Sequence, residues 1–318
     1  MGLVKVLAVT PLYPPASRVG AWLATHACLA HLVELGHHVD VVPYLAGGFD
    51  YDFDGVHVHP QADLEQFADA DVVVAHLGDD ARSAEFAARH RIPLVRMVHG
   101  SSAENAAKLA AHPCALAVFN SSSLAAEVAF DGASIVVRPP FDPDAVRTTP
   151  GGRVTLVNLC EPKGGALFWQ LAKSMPHVQF LGVRGGYGEQ MSDKAKNVRQ
   201  IAPTTDMATD VYSQTRILLM PSVRETWGMV GLEAMVSGIP VIAHPTPGLR
   251  ESLGSAAIFV DRSDLAGWQE AITGLMRPHA WRLASAKAAG HAATYDPAPD
   301  LARFAAAVAD VATMKAAA

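Results

Sequence analysis

The sequence is poor in cysteine and in broad basic character, and it lacks long apolar runs. Its 318 residues include only three cysteines, which are isolated from one another and form no Cys/His pattern with metal-ligand spacing. An odd number of scattered cysteines argues against a disulfide framework, and no metal site is expected. No stretch of about 18 apolar residues is present, so we expect no stable membrane insertion. The default expectation is a cytoplasmic enzyme.

Several motifs of nucleotide-binding and nucleic-acid-binding proteins are also missing. The net charge is −6, and this acidic balance does not favour broad binding to nucleic acid or to anionic membranes. No G-x-G-x-x-G opens the chain, which argues against a nicotinamide enzyme. Residues 184–188 (RGGYG) are rich in glycine, but no G-K-[ST] follows them, so they are not a Walker loop. They are a candidate flexible loop near a nucleotide.

What the sequence does contain is a regular alternation of short apolar, β-branched runs and amphipathic segments. This alternation is typical of parallel sheets covered by helices on both faces. The predicted strands are 4–9, 39–42, 56–59, 72–76, 94–99, 116–119, 135–138, 154–158, 178–182, 217–220, 240–243 and 257–260. The predicted helices are 21–35, 81–89, 103–111, 122–129, 164–174, 205–213, 227–237, 265–276 and 300–318.

The alternation is interrupted once, in a segment rich in proline and glycine at about 139–152. Proline breaks both helices and strands, so this segment is predicted to link two domains. The predicted domains are residues 1–145 and residues 146–296. A C-terminal helix at about 297–318 is expected to pack back on the first domain. Two doubly wound domains of this kind would face a cleft, because ligands bind outside the carboxyl ends of parallel strands.

The most specific segment is residues 221–235, which follow one predicted strand and contain two glutamates eight positions apart, Glu225 and Glu233. A helix is predicted to begin near Thr226 or Trp227. The start of a helix presents free amides and a positive dipole end, which suit a diphosphate. Gly228 would let the backbone approach that anion closely. A carboxylate further along the helix can accept hydrogen bonds from a ribose diol.

Residues 225–241 (ETWGMVGLEAMVSGIPV) resemble the signature E-(S/T)-F-G-x-x-x-x-E-A-M-A-x-G-x-P-V of the retaining glycosyltransferases of family 4, the glycosyl transferases group 1. The resemblance implies the GT-B fold, in which the Rossmann-like domain at 1–145 binds the acceptor and the Rossmann-like domain at 146–296 binds the nucleotide-sugar donor. It also implies that Glu225 contacts the donor sugar near the reacting carbon and that Glu233 binds the ribose. The amides of Gly228, Met229 and Val230 would hold the phosphates. Trp227 stands where the family usually has phenylalanine.

Two further segments extend the resemblance toward the phosphates. Residues 156–164 (LVNLCEPKG) are similar to the family's G-R-x-x-x-x-K-G, which implies that Lys163 neutralises the diphosphate. Asn158 stands at the position of the usual arginine, and Arg18 or Arg184 could compensate for it. Residues 14–20 (PPASRVG) are similar to the opening P-x-x-G-G loop, which makes Gly20 a second candidate for phosphate binding.

A third segment, Val98-His99-Gly100-Ser101, looks like the family's first-domain wall, and places His99 beside the transferred sugar. A structural role for this histidine is equally open, and His76 is its rival. Residues 245–251 are similar to another family loop, but we interpret them as a simple turn and cap.

Taken together, the sequence features predict a retaining hexosyltransferase that uses a nucleotide-sugar donor, by default a UDP-sugar. No cofactor or metal is implied. The acceptor stays open among a glycan, a small molecule, a protein and a modified nucleic acid. The alternative hypotheses are a nucleotide-sugar epimerase or hydrolase of the same fold and a noncatalytic nucleotide-sugar binding protein.

Overall fold

The structure is a computed structural model that describes residues 2–17, 19–78, 81–100 and 104–316. The chain divides into two compact units. The first contains Met1–Phe141 together with Pro297–Ala318, and the second contains Asp142–Asp296. Arg18 and Ser101, which the sequence analysis considered, lie outside the described residues.

The first unit is built on an eight-stranded sheet in the order β3-β4-β2-β1-β5-β6-β7-β8, in which β3 is antiparallel to β4 and the other pairs are parallel. Its strands are β1 (Lys5–Thr10), β2 (His38–Pro43), β3 (Tyr51–Phe53), β4 (Val56–Val58), β5 (Val72–His76), β6 (Leu94–Val98), β7 (Leu116–Phe119) and β8 (Ser134–Val136). Its helices are α1 (Gly20–Glu34), α2 (Arg82–His90), α3 (Asn105–Ala111), α4 (Ser122–Val128) and the C-terminal helix (Ala298–Ala316), which is α12 in chain order.

The core of the first unit explains why its strands read as nearly continuous apolar runs. Strand β1 exposes Lys5 and then buries every residue through Thr10. Both faces of the sheet are covered, so alternate residues from the same strand enter different apolar clusters. Val6 lies in one cluster with Phe304 and Val308 of the C-terminal helix, and Leu7 lies in another with Phe86 of α2. The C-terminal helix is therefore part of the core of this unit.

The second unit is a six-stranded, fully parallel sheet in the order β11-β10-β9-β12-β13-β14. Its strands are β9 (Arg153–Val157), β10 (Phe180–Val183), β11 (Val198–Ile201), β12 (Thr215–Met220), β13 (Val241–Ala243) and β14 (Ile258–Phe259). Its helices are α5 (Pro143–Val146), α6 (Gly165–Ser174), α7 (Met207–Asp210), α8 (Met229–Val236), α9 (Pro247–Leu253), α10 (Leu265–Met276) and α11 (Pro278–Ala292). In chain order the strands run outward to one edge and then to the other, which is the doubly wound arrangement that was predicted.

The alternation of strands and helices is confirmed, and the departures from it have local causes. Strands β3 and β11 were missed because β3 lies among acidic loop residues and β11 (VRQI) has two exposed polar residues at its centre. Helix α11 was missed because it begins at Pro278 and its amphipathic pattern is weak. Residues 245–251 were interpreted as a simple turn and cap; Thr246 is a cap, but it is the N-cap of a helix, α9, which continues to Leu253.

Candidate active site

The loop between β12 and α8 positions Glu225. Helix α8 begins at Met229, with Gly228 as its N-cap, so the predicted start at Thr226 or Trp227 is wrong. Gly228 has φ +84, and a Cβ atom there would lie 2.5 Å from Cδ2 of Leu249 and 3.2 Å from Cγ of Glu225. The left-handed turn and the absence of a side chain let the chain pass close to Glu225 before the helix starts. Glu225 therefore lies on the loop rather than on the helix.

The N-terminal end of helix α9 packs against the backbone of the same loop. The Thr246 hydroxyl donates a hydrogen bond to the Glu225 carbonyl oxygen at 3.4 Å, and its oxygen accepts one from the Leu249 amide at 3.2 Å. A Cβ atom at Gly248 would lie 2.2 Å from the Glu225 carbonyl oxygen, so the two backbones are in direct contact. This close packing holds the backbone of Glu225 in one place.

A second loop, after β9, positions Lys163. Residues Glu161–Lys163 form a single 3-10 turn that ends at Gly164, whose φ is +97. A Cβ atom at Gly164 would lie 2.3 Å from Cγ of Pro221, so this turn lies against the start of the Glu225 loop. The structure consequently brings Lys163 and Glu225 together as an ion pair between Nζ and Oε2. Their side chains are 21% and 15% exposed, so the pair is accessible only at its edge.

Tyr187 is a third member of this group, which sequence reasoning did not identify. The Tyr187 side chain is half exposed and lies close enough to the Lys163 ammonium to raise its pKa. Burial lowers the pKa of Lys163, but the charge of Glu225 and the contacts with Tyr187 raise it by more, so the pKa lies above its ordinary value of 10.5. Lys163 is therefore a stable cation at neutral pH.

The glycine-rich loop that carries Tyr187 is held by Gln190. The side-chain oxygen of Gln190 accepts hydrogen bonds from the amides of Leu159 at 3.1 Å and Gly185 at 2.7 Å. Its side-chain nitrogen donates to the carbonyl oxygens of Tyr187 at 2.8 Å and Gly188 at 3.0 Å. Because one side chain connects these four positions, the loop is tied to the end of β9.

Asn158 is part of the same network rather than an exposed substitute for an arginine. The residue is 6% exposed, and its φ is +68. Its side-chain oxygen accepts hydrogen bonds from Gln190 at 2.8 Å and from the Cys160 amide at 3.3 Å. A Cβ atom at Gly185 would lie 2.2 Å from Cγ of Asn158, so the glycine-rich loop covers it. Arg184 is exposed at the start of that loop.

Glu233 lies in the second turn of α8, and one of its oxygens is already engaged. The Tyr212 hydroxyl donates a hydrogen bond to Oε2 of Glu233 at 2.5 Å. Burial raises the pKa of Glu233, and the hydrogen bond from Tyr212 opposes that rise without cancelling it. Met229 and Val230 are the first two residues of the same helix, where backbone amides lack partners within the helix.

The histidine candidates lie at the carboxyl ends of neighbouring strands in the first unit. His99 directly follows β6, and Asn120 donates a hydrogen bond to its carbonyl oxygen at 3.1 Å. His76 ends β5, and the ring centroids of the two histidines are 5.6 Å apart. Burial and the neighbouring His76 lower the pKa of His99 to about 3. Burial, Arg96 and Lys108 lower the pKa of His76 to about 4. Both rings are neutral at pH 7.

Gly20 is the first residue of α1, after the extended N-cap residue Val19. Gly20 is exposed. Within the described ranges, no cluster of three or more His, Cys, Asp or Glu side chains is arranged to hold a metal ion. None of the helices formed by those residues combines the length and apolarity of a membrane span.

A known protein family matches part of the second unit. Residues 167–277, which include Glu225, Gly228 and Glu233, match the family described as Glycosyl transferases group 1. The match covers most of the second unit and none of the first, so it is a similarity of that part of the chain. Lys163 lies outside the matched residues, but it forms an ion pair with Glu225, which lies within them.

Curated relatives also match part of the chain. The chain is 29% identical over 194 residues to the D-inositol 3-phosphate glycosyltransferase of Mycobacterium marinum. This alignment covers 53% of this chain and 41% of the relative. Similar relatives include the O-antigen chain mannosyltransferase RfbU of Salmonella typhimurium, which is 39% identical over 62 residues, 20% of this chain and 18% of the relative. The chain spans less than half the length of the curated relatives it matches.

Solved structures match the whole chain at low identity. The crystal structure of Anabaena Alr3699/HepE in complex with UDP-glucose has a TM-score of 0.79 and 18% identity, and covers 96% of this chain and 100% of that chain. Sucrose-phosphate synthase from Thermosynechococcus elongatus has a TM-score of 0.73 and 15% identity, over 94% and 97% of the two chains. These likenesses establish the fold, which is GT-B, with two parallel-sheet α/β domains.

Proposed function

We propose that this chain is a glycosyltransferase that moves a sugar from a nucleotide-sugar donor to an acceptor with retention of anomeric configuration. The observation that carries the proposal is the ion pair between Lys163 and Glu225 beside the start of α8. It combines a cation suited to a diphosphate, a carboxylate suited to a sugar, and a helix start with free amides. The group 1 match includes the Glu225 loop and α8.

The charge that develops in such a transfer determines what these groups do. The bond between the sugar carbon and the diphosphate oxygen breaks, and its electron pair leaves with the diphosphate. Lys163 and the amides of Gly228, Met229 and Val230 would stabilise that departing negative charge. The raised pKa of Lys163 keeps the ammonium charged throughout this step. We therefore propose that the reaction requires neither a metal nor a cofactor, so transfer should persist in EDTA.

Glu225 and Glu233 would act at opposite ends of the donor. The sugar carbon gains positive character as the diphosphate leaves, and the Glu225 carboxylate would stabilise it and orient the sugar hydroxyls. One oxygen of Glu233 is held by Tyr212, which leaves the other to accept a hydrogen bond from a ribose hydroxyl. In the first unit, His99 is assigned to sugar binding as a neutral hydrogen-bonding group, and Gly20 to phosphate binding.

The donor is proposed to be a UDP-sugar. Alr3699/HepE was crystallised with UDP-glucose and with UDP and glucose, and it shares the fold of this chain. We leave the acceptor unassigned and propose the cytoplasm as the place of reaction. The named relatives act on chemically different acceptors, so they do not point to one class.

Nucleotide-sugar binding provides the first test. A panel of UDP-glucose, GDP-mannose and ADP-glucose in thermal unfolding should contain at least one donor that raises Tm, because a ligand of the native state stabilises it. Failure of all three donors and of their nucleoside diphosphates to bind by calorimetry would contradict the proposal.

The catalytic test uses the binding donor with a labelled sugar and a collection of acceptors. We expect Glu225→Gln to lower transfer by about 100-fold, while Glu270→Gln, an exposed glutamate on α10, leaves the rate unchanged. Rapid consumption of the donor without any acceptor would identify a hydrolase or epimerase instead. Binding without transfer to any acceptor class would indicate a noncatalytic binding protein.

A further inference from the structure

Arg262, in the short connection between β14 and α10, reaches both loops of the candidate active site. One guanidinium nitrogen donates to the carbonyl oxygens of Pro221 at 2.8 Å and Pro162 at 3.2 Å. The other terminal nitrogen donates to the Glu161 carbonyl oxygen at 2.6 Å and to its carboxylate at 2.5 Å. The Arg262 side chain is 19% exposed. Four hydrogen bonds thus converge on one largely buried cation.

The acceptors of these bonds lie immediately before the two charged residues of the site. Glu161 and Pro162 precede Lys163 in the same 3-10 turn, and Pro221 begins the loop that leads to Glu225. No hydrogen bond from Arg262 to the side chain of Lys163 or Glu225 is present, so its influence runs through the backbone. A planar guanidinium can bond several carbonyls in a fixed fork, whereas a lysine ammonium is a point donor on a flexible stem.

The position of Arg262 is itself fixed. Its backbone amide donates a hydrogen bond to Nδ1 of His244 at 3.0 Å. Glu161, its carboxylate partner, also accepts a hydrogen bond from the Ala166 amide at the start of α6, at 3.3 Å. Arg262 is thereby connected to β13 on one side and to α6 on the other, and a displacement of either loop would break bonds to it.

We propose that Arg262 is a positioning residue that holds the backbone of the Lys163 turn against the Glu225 loop, and so sets the affinity of the site for a nucleoside diphosphate. The inference rests on the proposed function, since it concerns the same phosphate site. Lys163 has a long, flexible side chain, and its ammonium reaches the diphosphate position only if its backbone is held there. Arg262 provides that restraint without contacting the ligand.

The test measures UDP affinity by calorimetry, with GDP and ADP in parallel, in the full chain. Arg262→Met should weaken binding of the preferred nucleoside diphosphate by about tenfold, since the loop loses three carbonyl restraints and an ion pair. Arg262→Lys should recover only part of this loss. Glu161→Gln, which keeps the carbonyl bonds, should weaken binding by no more than about twofold.

A double-mutant cycle separates positioning of Lys163 from a general loss of structure. If Arg262 acts through Lys163, Arg262→Met should change UDP affinity less than about twofold in a Lys163→Ala background, because neighbouring residues that act together are not additive. An equal loss in both backgrounds would overturn the proposal. So would unchanged affinity in the single variant.

Arg216 offers a matched control in the same unit. It also donates to backbone carbonyl oxygens, those of Leu275 at 3.4 Å and Met276 at 3.5 Å, and it stacks on Trp281. Arg216→Met should leave UDP affinity within about twofold of wild type. If Arg262→Met does not fold, the cycle is run with Arg262→Lys. Wild type that binds no nucleoside diphosphate would refute the proposed function, whereas wild type that binds and an Arg262→Met variant that binds equally would refute only the role of Arg262.

Discussion

The hydroxyl of Tyr212 donates a 2.5 Å hydrogen bond to Oε2 of Glu233. Tyr212 is fully buried and begins a single 3-10 turn before β12, whereas Glu233 lies on α8, the next helix along the chain. The contact fixes the direction of a carboxylate that must otherwise choose among several rotamers. Glu233 is partly buried, and the hydrogen bond from Tyr212 only partly compensates its charged form, so the protonation of Glu233 should affect stability.

We expect Glu233→Gln to stabilise the ligand-free protein at neutral pH. Burial raises the folded-state pKa of Glu233, so the native state binds this proton more tightly than the unfolded chain does. The contribution of Glu233 to stability therefore falls as pH rises from the ordinary value of 4.5 through the raised folded pKa. Glutamine carries no charge and still accepts the hydrogen bond from Tyr212.

Urea unfolding at pH 5 and pH 8 measures this effect. The free energy of unfolding of the Glu233→Gln variant should exceed that of wild type by more at pH 8, with a difference of about 1 kcal/mol. Glu270→Gln, at an exposed position, should show no such trend. A gain that is the same at both pH values would contradict the assignment. The same Gln variant should bind UDP more weakly if Glu233 holds the ribose.

Replacement of two glycines by alanine should change the stability of the protein in opposite directions. Gly228 is the N-cap of α8, and Gly274 lies within α10. Gly228→Ala should destabilise the protein by about 2 kcal/mol, because alanine resists the left-handed region and its Cβ would overlap Leu249. Gly274→Ala should stabilise it by about 0.5–1 kcal/mol, since Gly274 lies within α10 and a Cβ there meets open space.

Thermal and urea unfolding of the two variants provide the measurement. Gly228→Ala should also lose affinity for UDP, because the turn before α8 sets the path of the phosphate-binding amides. Gly274→Ala should bind UDP as wild type does. Equal stability of Gly228→Ala and wild type would show that the loop can relax around the new methyl group.

A histidine in the first unit should make stability depend on pH near neutrality. His59 lies between Asp50, at 2.8 Å from Nδ1, and Asp40, at 3.0 Å from Nε2, and His38 also contacts Asp40. Burial lowers the pKa of His59, but the hydrogen bonds and charges of Asp50 and Asp40 raise it above 6.5 on balance. A raised folded-state pKa gives a contribution that is complete below 6.5 and is lost as pH rises through the folded value.

Replacement of His59 by glutamine should therefore reduce the free energy of unfolding by about 0.5–1 kcal/mol at pH 6 and by less at pH 8.5. The exposed His279, at the start of α11, serves as the control and should show no pH-dependent difference as His279→Gln. A penalty for His59→Gln that grows with pH would reverse the expected sign and contradict this account.

The amino-acid order alone was enough to predict the fold class and to single out the segment that contains Glu225 and Glu233. Apolar runs such as that of β1 and the amphipathic segments between them specify parallel strands and covering helices, because burial on both faces leaves a direct mark on composition. The signature around Glu225 and Glu233 is likewise local, since it lies within one loop and one helix. Both features depend on neighbours in the chain and can be found without coordinates.

Only the tertiary structure decided which partners these residues have. Tyr212 and Glu233, Lys163 and Glu225, and Arg262 and Pro221 are distant in sequence, and folding of the parallel sheet brings each pair together. The start of α8 was misjudged for a related reason. Apolar spacing does not show that Gly228 adopts a left-handed turn against Leu249. Hydrogen bonds and steric limits between distant segments leave no periodic pattern in the sequence, so the direction and protonation of the site residues depended on the packed structure.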